Sequence, residues 1–314
     1  MGLKLSVHIW RGITGSILPR SAAVANPELA DSSIQPEAPT YLKSRVRDHW
    51  ERETCGVRYG GDAVDRREWF SQIARTRQAL EPYISDFARF EEARGKSVLE
   101  IGVGAGSDFI RWCEYADHAT GVDLTAAGIA LTSERLALEG VPECRYALLT
   151  ADAERLPFPE RSFDIVYSWG VLHHTPDTER AYREMFRVLR PGGVMRTMVY
   201  HVWSWTGLML YLLHGALRGR PGQGLRGAIN QHLESPGTKA YSRAEGIALA
   251  TRAGFNEVDV TTRLGPGDLL LIKPSARYQG TLARLAFALY PRPLVRLLGD
   301  RFGLYLLIEG CKTE

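Results

Sequence analysis

Cysteine is scarce and scattered. The four in 314 residues, Cys55, Cys113, Cys144 and Cys311, form no C-x-x-C pair. That argues against a disulfide framework and a zinc site, and it fits a reducing compartment. Long apolar runs are missing as well. The longest, VWSWTGLMLYLL at 202–213, falls short of the roughly 20 residues that cross a bilayer. The opening MGLKLSVHIWRG is broken by His8 and Arg11 and lacks the apolar stretch of a secretory signal, so a cytoplasmic protein is expected. A net charge of +3 is too small to imply nucleic acid. No cluster of acidic ligands is readable, so no metal is expected. What remains is 45% hydrophobic and 24% charged, the composition of a globular, enzyme-sized chain.

Positive charge is concentrated in two segments. Residues 201–240 carry Arg218, Arg220, Arg226 and Lys239 against Glu234, and residues 271–303 carry six basic side chains against Asp300. The rest of the chain is net acidic.

Residues 1–40 end in a Pro-punctuated polar stretch, NPELADSSIQPEAPT, and read as a poorly ordered leader. Residues 41–96 are helix-rich, with a glycine break at CGVRYGG and Pro82 closing the last helical pattern. From 97 onward apolar β-prone runs alternate with helical periods: SVLEIG, DFIRWCEYA, ATGVDL, AAGIALTSERLALEG, RYALLTA, FDIVYS, TERAYREMFRVLR, GVMRTMVY. Such alternation specifies an α/β fold with a mainly parallel sheet. The helix over 178–190 has an apolar stripe, with Pro191, Gly192 and Gly193 after it as stop signals, and Ser242 with Glu245 forms a capping box for a later helix. FNEVDVTTR and GLYLLIEG read as two final strands. The segments 201–240 and 265–303 interrupt the alternation and read as inserts.

Residues 98–106, VLEIGVGAG, place Glu100, Gly102, Gly104 and Gly106 where a buried strand turns into a helix. Glycines there let the backbone approach a ligand closely. The next strand ends in Asp123, 21 residues after Gly102, where an acid can accept both hydroxyls of a ribose. The spacing is G-x-G-x-G, not that of a dinucleotide site. Glu100 also brings a carboxylate to the turn, which repels a pyrophosphate and suits an ammonium. The third strand ends in Ala151-Asp152-Ala153, an acid and a small residue able to grip an adenine amine. The implied ligand has adenine, ribose and positive charge but no phosphate. An NAD-dependent reductase is further disfavoured by the absence of a Y-x-x-x-K pair at Tyr59, Tyr83, Tyr167 or Tyr182.

Over 97–200 these motifs resemble the class I S-adenosylmethionine-dependent methyltransferases, in the branch that includes ubiquinone/menaquinone methylases and many natural-product methylases. VLEIGVGAGSD, GVDL, ADAERLPFPERSFDIVYSWGVLHH and FRVLRPGG carry the likeness. The resemblance implies a doubly wound, seven-stranded, mostly parallel sheet of Rossmann type over 97–314, with an N-terminal helical lid at 41–96 and a helical cap built from the inserts. It implies S-adenosyl-L-methionine as cofactor. Glu100, Gly102, Gly104 and Gly106 would surround its methionine end and Asp123 its ribose. Leu124, Asp152 and Ala153 would meet the adenine, while Ser168 and Trp169 would line the transfer channel. Tyr59, in the lid, is a further contact.

Methyl transfer from a sulfonium is an in-line displacement, and an oxygen or carbon acceptor also needs a base. Residues just past the strand ends converge on one crevice. Among them His173 and His174, in the L-H-H motif, and His201, after the fifth strand, are the candidates. The inserts, rich in leucine and arginine, suggest a fairly apolar small-molecule acceptor of secondary metabolism or of lipid- or quinone-like biosynthesis. Two alternatives stand beside this reading: a peripheral membrane contact made by the basic inserts, and a non-catalytic nucleotide-binding protein that recruits a partner.

Overall fold

The computed structural model describes residues 39–235, 237–271 and 288–313. The expectation of a poorly ordered leader falls, but for its last two residues, outside them, as does the middle of the second insert. Among the described residues seven strands form one sheet: β1 (Ser97–Ile101), β2 (His118–Asp123), β3 (Tyr146–Thr150), β4 (Phe163–Trp169), β5 (Leu189–Tyr200), β6 (Asn256–Arg263) and β7 (Tyr305–Cys311). Their order is β3-β2-β1-β4-β5-β7-β6, with β7 antiparallel to both neighbours and the other pairs parallel. The mostly parallel, doubly wound sheet read from the sequence is therefore the observed one. The strand order reverses between β1 and β4, so a crevice opens beyond their carboxyl ends.

Both faces of the sheet are covered, which is why its strands read as continuous apolar runs. On one face Ile165 and Tyr167 of β4 pack with Phe90, Phe109 and Trp112; on the other, Val166 packs with Tyr182, Met185 and Leu306. Helix α6 (Thr178–Val188) buries the expected stripe of Ala181, Tyr182, Met185 and Val188. It ends two residues earlier than the expected 178–190. Leu189 is already strand, and Pro191, Gly192 and Gly193 lie within β5, whose register against β4 shifts there. The physical reason is Pro191, which disfavours helix for the residue before it. Helix α9 (Arg243–Ala253) has both halves of its capping box, Ser242 to Glu245, and stops at Gly254 with φ 111°.

The segment before the sheet supplies α1 (Pro39–Arg52), α2 (Arg66–Leu80) and α3 (Ile84–Ala88). Helix α2 ends just ahead of Pro82, as expected. Three contacts fasten α1 and α2 over the strand ends. Lys43 meets Asp152 at 2.7 Å and Glu154 at 2.5 Å. The Glu51 carboxylate accepts the first free N–H groups of α5 (Ala126–Glu139), from Ala126 and Ala127. Arg66 forms a fork with Glu134. The inserts supply α7 (Trp205–His214), α8 (Gly224–His232) and α10 (Arg292–Leu297). A shorter helix, α4 (Phe109–Tyr115), follows β1.

Candidate active site

A cavity of about 350 Å³ lies beyond the carboxyl ends of β1, β2, β4 and β5, under α1 and α2. Its size is within the range of small-molecule sites.

One end is made by the glycine turn. Gly102 has φ 85°, and a Cβ there would stand 2.1 Å from Val171 Cγ2, so only glycine fits between β1 and the loop after β4. The Gly104 N–H donates to Asp123 Oδ2 at 3.0 Å. Asp123 Oδ1 accepts from the Thr125 N–H at 2.9 Å and its hydroxyl at 2.6 Å. That acid thus ties the turn after β1 to the start of α5 while facing the cavity. Glu100, inside β1, is 3% exposed, and its Oε2 has no hydrogen-bond partner. Burial, with Asp108 and Asp123 nearby, pushes its carboxyl well above the ordinary range, although Arg77 opposes the shift. A buried carboxylate in want of a donor is what the ammonium of an amino acid would satisfy.

Glu100, Gly102, Gly104, Asp123, Leu124, Asp152, Ala153, Trp169 and Tyr59 all line the cavity. Gly106 and Ser168 do not. Gly106 has φ 71° and turns the chain into the following helix beside Thr132. The Ser168 hydroxyl donates to the Ile101 carbonyl at 2.9 Å, bracing β4 against β1. The structural cause is strand alternation: Trp169 points to the crevice side and its neighbour cannot.

At the other end, His174 and Tyr200 line the wall. The His174 Nδ1 lies 2.8 Å from Ser235 Oγ and 3.2 Å from Thr238 Oγ1. Thr238 Oγ1 donates to the Ser235 carbonyl, so it is free to accept from the ring. Nε2 faces Glu234 Oε2 at 3.4 Å. Tyr200 donates its hydroxyl to that same oxygen at 2.7 Å. Burial alone would raise the Glu234 carboxyl. His174, Tyr200 and Arg58 outweigh burial and hold it below the ordinary carboxylate range. Glu234 has φ 54°, a conformation costly for a side chain with a Cβ and common at functional sites.

The other two histidines stay out of the cavity. His173 is fully buried between the rings of His174 and Tyr200, at 4.1 and 4.0 Å, with neither ring nitrogen hydrogen-bonded. Desolvation holds it well below the ordinary histidine range, so it is neutral. His201 follows Tyr200 on the strand and therefore takes the opposite face; its Nδ1 bonds the Gly303 carbonyl at 3.1 Å. Of the three candidate bases only His174 reaches the cavity.

Several lining residues were not expected. Arg77, from α2, pairs with Asp108 at 2.6 Å and with Glu81 at 3.5 Å. Asp108 also accepts the Tyr167 hydroxyl at 2.8 Å, and Glu81 that of Tyr305 at 2.6 Å. The inserts reach the cavity at Glu234 and Pro266, whereas Trp203, Trp205, Tyr211 and α10 contribute nothing to its wall. Glu234 carried one sequence signal, being the sole acid of 201–240. Cys55 opens onto the cavity, but desolvation pushes its thiol up to about 11, so it is no nucleophile at neutral pH. Among the described residues His173, His174 and Glu234 are the one His/Cys/Asp/Glu group close enough to share a cation. No helix of the described residues is long and apolar enough to cross a membrane.

Residues 99–197 match the family model described as a methyltransferase domain. Phosphoethanolamine N-methyltransferase 2 of Caenorhabditis elegans is 30% identical over 147 residues, which is 46% of this chain and 33% of that protein. A phthiotriol/phenolphthiotriol dimycocerosates methyltransferase of Mycobacterium tuberculosis is 41% identical over 101 residues, 32% of this chain and 36% of that one. The chain thus spans about a third of the length of these relatives. Among solved structures, geranyl diphosphate C-methyltransferase from Streptomyces coelicolor superposes with a TM-score of 0.55 at 17% identity, over 88% of this chain and all of that one. Phosphoethanolamine N-methyltransferase 2 of Haemonchus contortus does so with 0.54 at 20% identity, over 86% and 60%. Both share the fold. The glycine turn and the acids at the ends of β2 and β3 lie inside the matched segment, so residues 99–197 carry a methyltransferase domain.

Proposed function

We propose that the protein transfers the methyl group of S-adenosylmethionine to a small, fairly apolar acceptor, at oxygen or an activated carbon. The observation that carries the reading is the polarity of the cavity: an unsatisfied carboxyl oxygen at the glycine turn, and a histidine–carboxylate pair at the far wall. Glu100 would receive the ammonium of the methionine part, Asp123 the ribose hydroxyls, and Asp152 the adenine amine beside Leu124 and Ala153. Gly102 and Gly104 let the backbone lie against that ligand. Trp169 and Tyr305 present aromatic walls that favour a sulfonium.

The acceptor would occupy the space before Trp50, Tyr200 and His174. Nε2 of His174 takes the acceptor proton, and ionised Glu234 stabilises the imidazolium that results. Ser235 and Thr238 fix the ring from its other nitrogen. Tyr200 holds the Glu234 carboxylate in place. The helical lid excludes water from this space, with Tyr59 and Cys55 on its inner side. Four unpaired thiols suit the cytoplasm, where we place the reaction. The mycobacterial relatives are named for phthiotriol dimycocerosates and the Streptomyces structure for geranyl diphosphate. An aromatic wall here supports an acceptor with an apolar body.

A screen with radiolabelled methyl donor tests the proposal. Lipophilic hydroxyl or enol acceptors should be labelled ahead of small polar ones. Preference for the polar set would refute the acceptor class.

A further inference from the structure

Most of the large apolar side chains left exposed among the described residues belong to two stretches. Trp203, Leu213 and Leu217 protrude in and around α7, at 59%, 48% and 78% exposure. Leu289, Leu294 and Leu297 protrude in and before α10, at 73%, 50% and 83%. The six-residue α10 buries only Val295.

One buried carboxylate joins the two stretches. Asp268 Oδ1 accepts from the Thr206 N–H at 2.9 Å and its hydroxyl at 2.8 Å, at the start of α7. Asp268 Oδ2 accepts from the N–H groups of Gly265 at 2.9 Å and Leu304 at 2.6 Å. Its backbone carbonyl accepts from the Tyr290 hydroxyl at 2.7 Å, just ahead of α10. The rings of Trp205 and Phe302 meet at 6.0 Å. Both apolar stretches are therefore parts of one braced platform.

The platform is also poor in negative charge: Asp300, the one acid of 288–302, is paired with Arg263 at 3.1 Å. Neither 201–233 nor 269–299 contains a single Asp or Glu, in a chain with 36 acids. Arg218, Arg220 and Arg296 are exposed there. Arg301 lies over the Phe302 ring at 5.7 Å, presenting a cation at the rim of the apolar surface.

We propose that this face, α7 with the 288–302 stretch, docks on an anionic lipid surface. Protruding leucines with Trp203 enter the boundary between headgroups and acyl chains, and the arginines meet lipid phosphates. Two other occupants fit less well. A second copy in an isologous dimer would set a face with exposed Arg218, Arg220 and Arg296 against itself. A protein interface would draw its centre from aromatic and Met side chains, whereas leucine dominates here. Pro266, two residues before Asp268, lines the cavity, so the docking face and the cavity share a loop. The docking stands whether or not methyl transfer is the reaction.

The test is co-sedimentation of the full chain with large unilamellar vesicles, of phosphatidylcholine alone or mixed with phosphatidylglycerol. The proposal requires binding to the mixed vesicles that is at least roughly tenfold tighter than to phosphatidylcholine and weakened by about 0.5 M salt. The double variant Leu213→Glu/Leu297→Glu should lose that binding at least tenfold while keeping its thermal melting point, because both side chains are exposed. Light scattering on the same samples reads self-association. The proposal is overturned if the wild type does not pellet with anionic vesicles. It is equally overturned if both variant and wild type pellet alike, or if the variant instead abolishes a dimer seen without lipid.

Discussion

Nε2 of His174 stands 3.4 Å from Oε2 of Glu234, and that same oxygen accepts the Tyr200 hydroxyl at 2.7 Å. Three residues from β5, the loop after β4 and the first insert thereby meet at one wall of the cavity. If this pair handles the acceptor proton, Glu234→Gln should lower kcat by roughly 100-fold, because the amide keeps the shape but cannot stabilise an imidazolium. Affinity for the methyl donor should not change. His174→Ala should cost a similar factor, and the double variant little more, since the two act as a unit. Steady-state kinetics with calorimetric binding would show it; unchanged kcat in both single variants would remove the base.

Asp123 holds the glycine turn and faces the cavity through one carboxylate. Asp123→Ala should weaken binding of S-adenosylmethionine by about 2–4 kcal/mol, the scale of one or two charge-assisted hydrogen bonds. Part of that loss reflects the freed Gly104 and Thr125. Asp123→Asn, which retains an acceptor, should lose less. Equal affinity in wild type and the Ala variant would take Asp123 out of the site.

The sheet was legible because its signals are local. Strands β1 to β5 each carry a local β-prone run, and the motif spacing from Gly102 to Asp123 and Asp152 follows from that regularity. The glycine-turn end of the cavity is built from those strand ends, which bring Glu100, Asp123 and Asp152 to its wall. Other parts of the wall come from distant pieces of chain: Lys43 and Arg77 in the lid, Glu234 in an insert. Nothing in their local sequence says which part of the sheet they cover. His201 illustrates a different loss. Its position just beyond β5 is right for the crevice, but one residue's shift along a strand reverses the face. In the second insert, 265–303, amphipathic composition alone does not tell whether the apolar side turns inward.

Arg77 should prove structural before it proves catalytic. Its guanidinium is the ion-pair partner of both Asp108 and Glu81, and it opposes the charge of Glu100. Arg77→Met preserves the stem yet strands these acids at the buried end of the cavity. A loss of about 3–5 kcal/mol in urea unfolding is expected. A loss below about 1 kcal/mol would mean that water already satisfies them.

His173 sets an acid sensitivity. Its folded-state pKa lies well below the ordinary 6.5 because burial penalises the charged ring. As pH falls below about 6.5 the unfolded chain binds a proton that the folded one refuses, so stability declines with falling pH until the folded pKa is reached. The contribution is at most about 1.4 kcal/mol per pH unit. His173→Phe keeps a ring between His174 and Tyr200 and should flatten the pH dependence of stability between pH 6.5 and 5. Parallel curves for the two proteins would show that His173 does not titrate in this way.

Calorimetric titration of the intact protein with S-adenosylmethionine, alongside NAD under the same conditions, bears most directly on the cavity's chemistry. The methyl donor should bind one to one, with a Kd that Glu100→Gln raises at least roughly tenfold, and NAD should give no heat. Tighter binding of NAD than of S-adenosylmethionine, or no binding of the donor at all, would contradict the account.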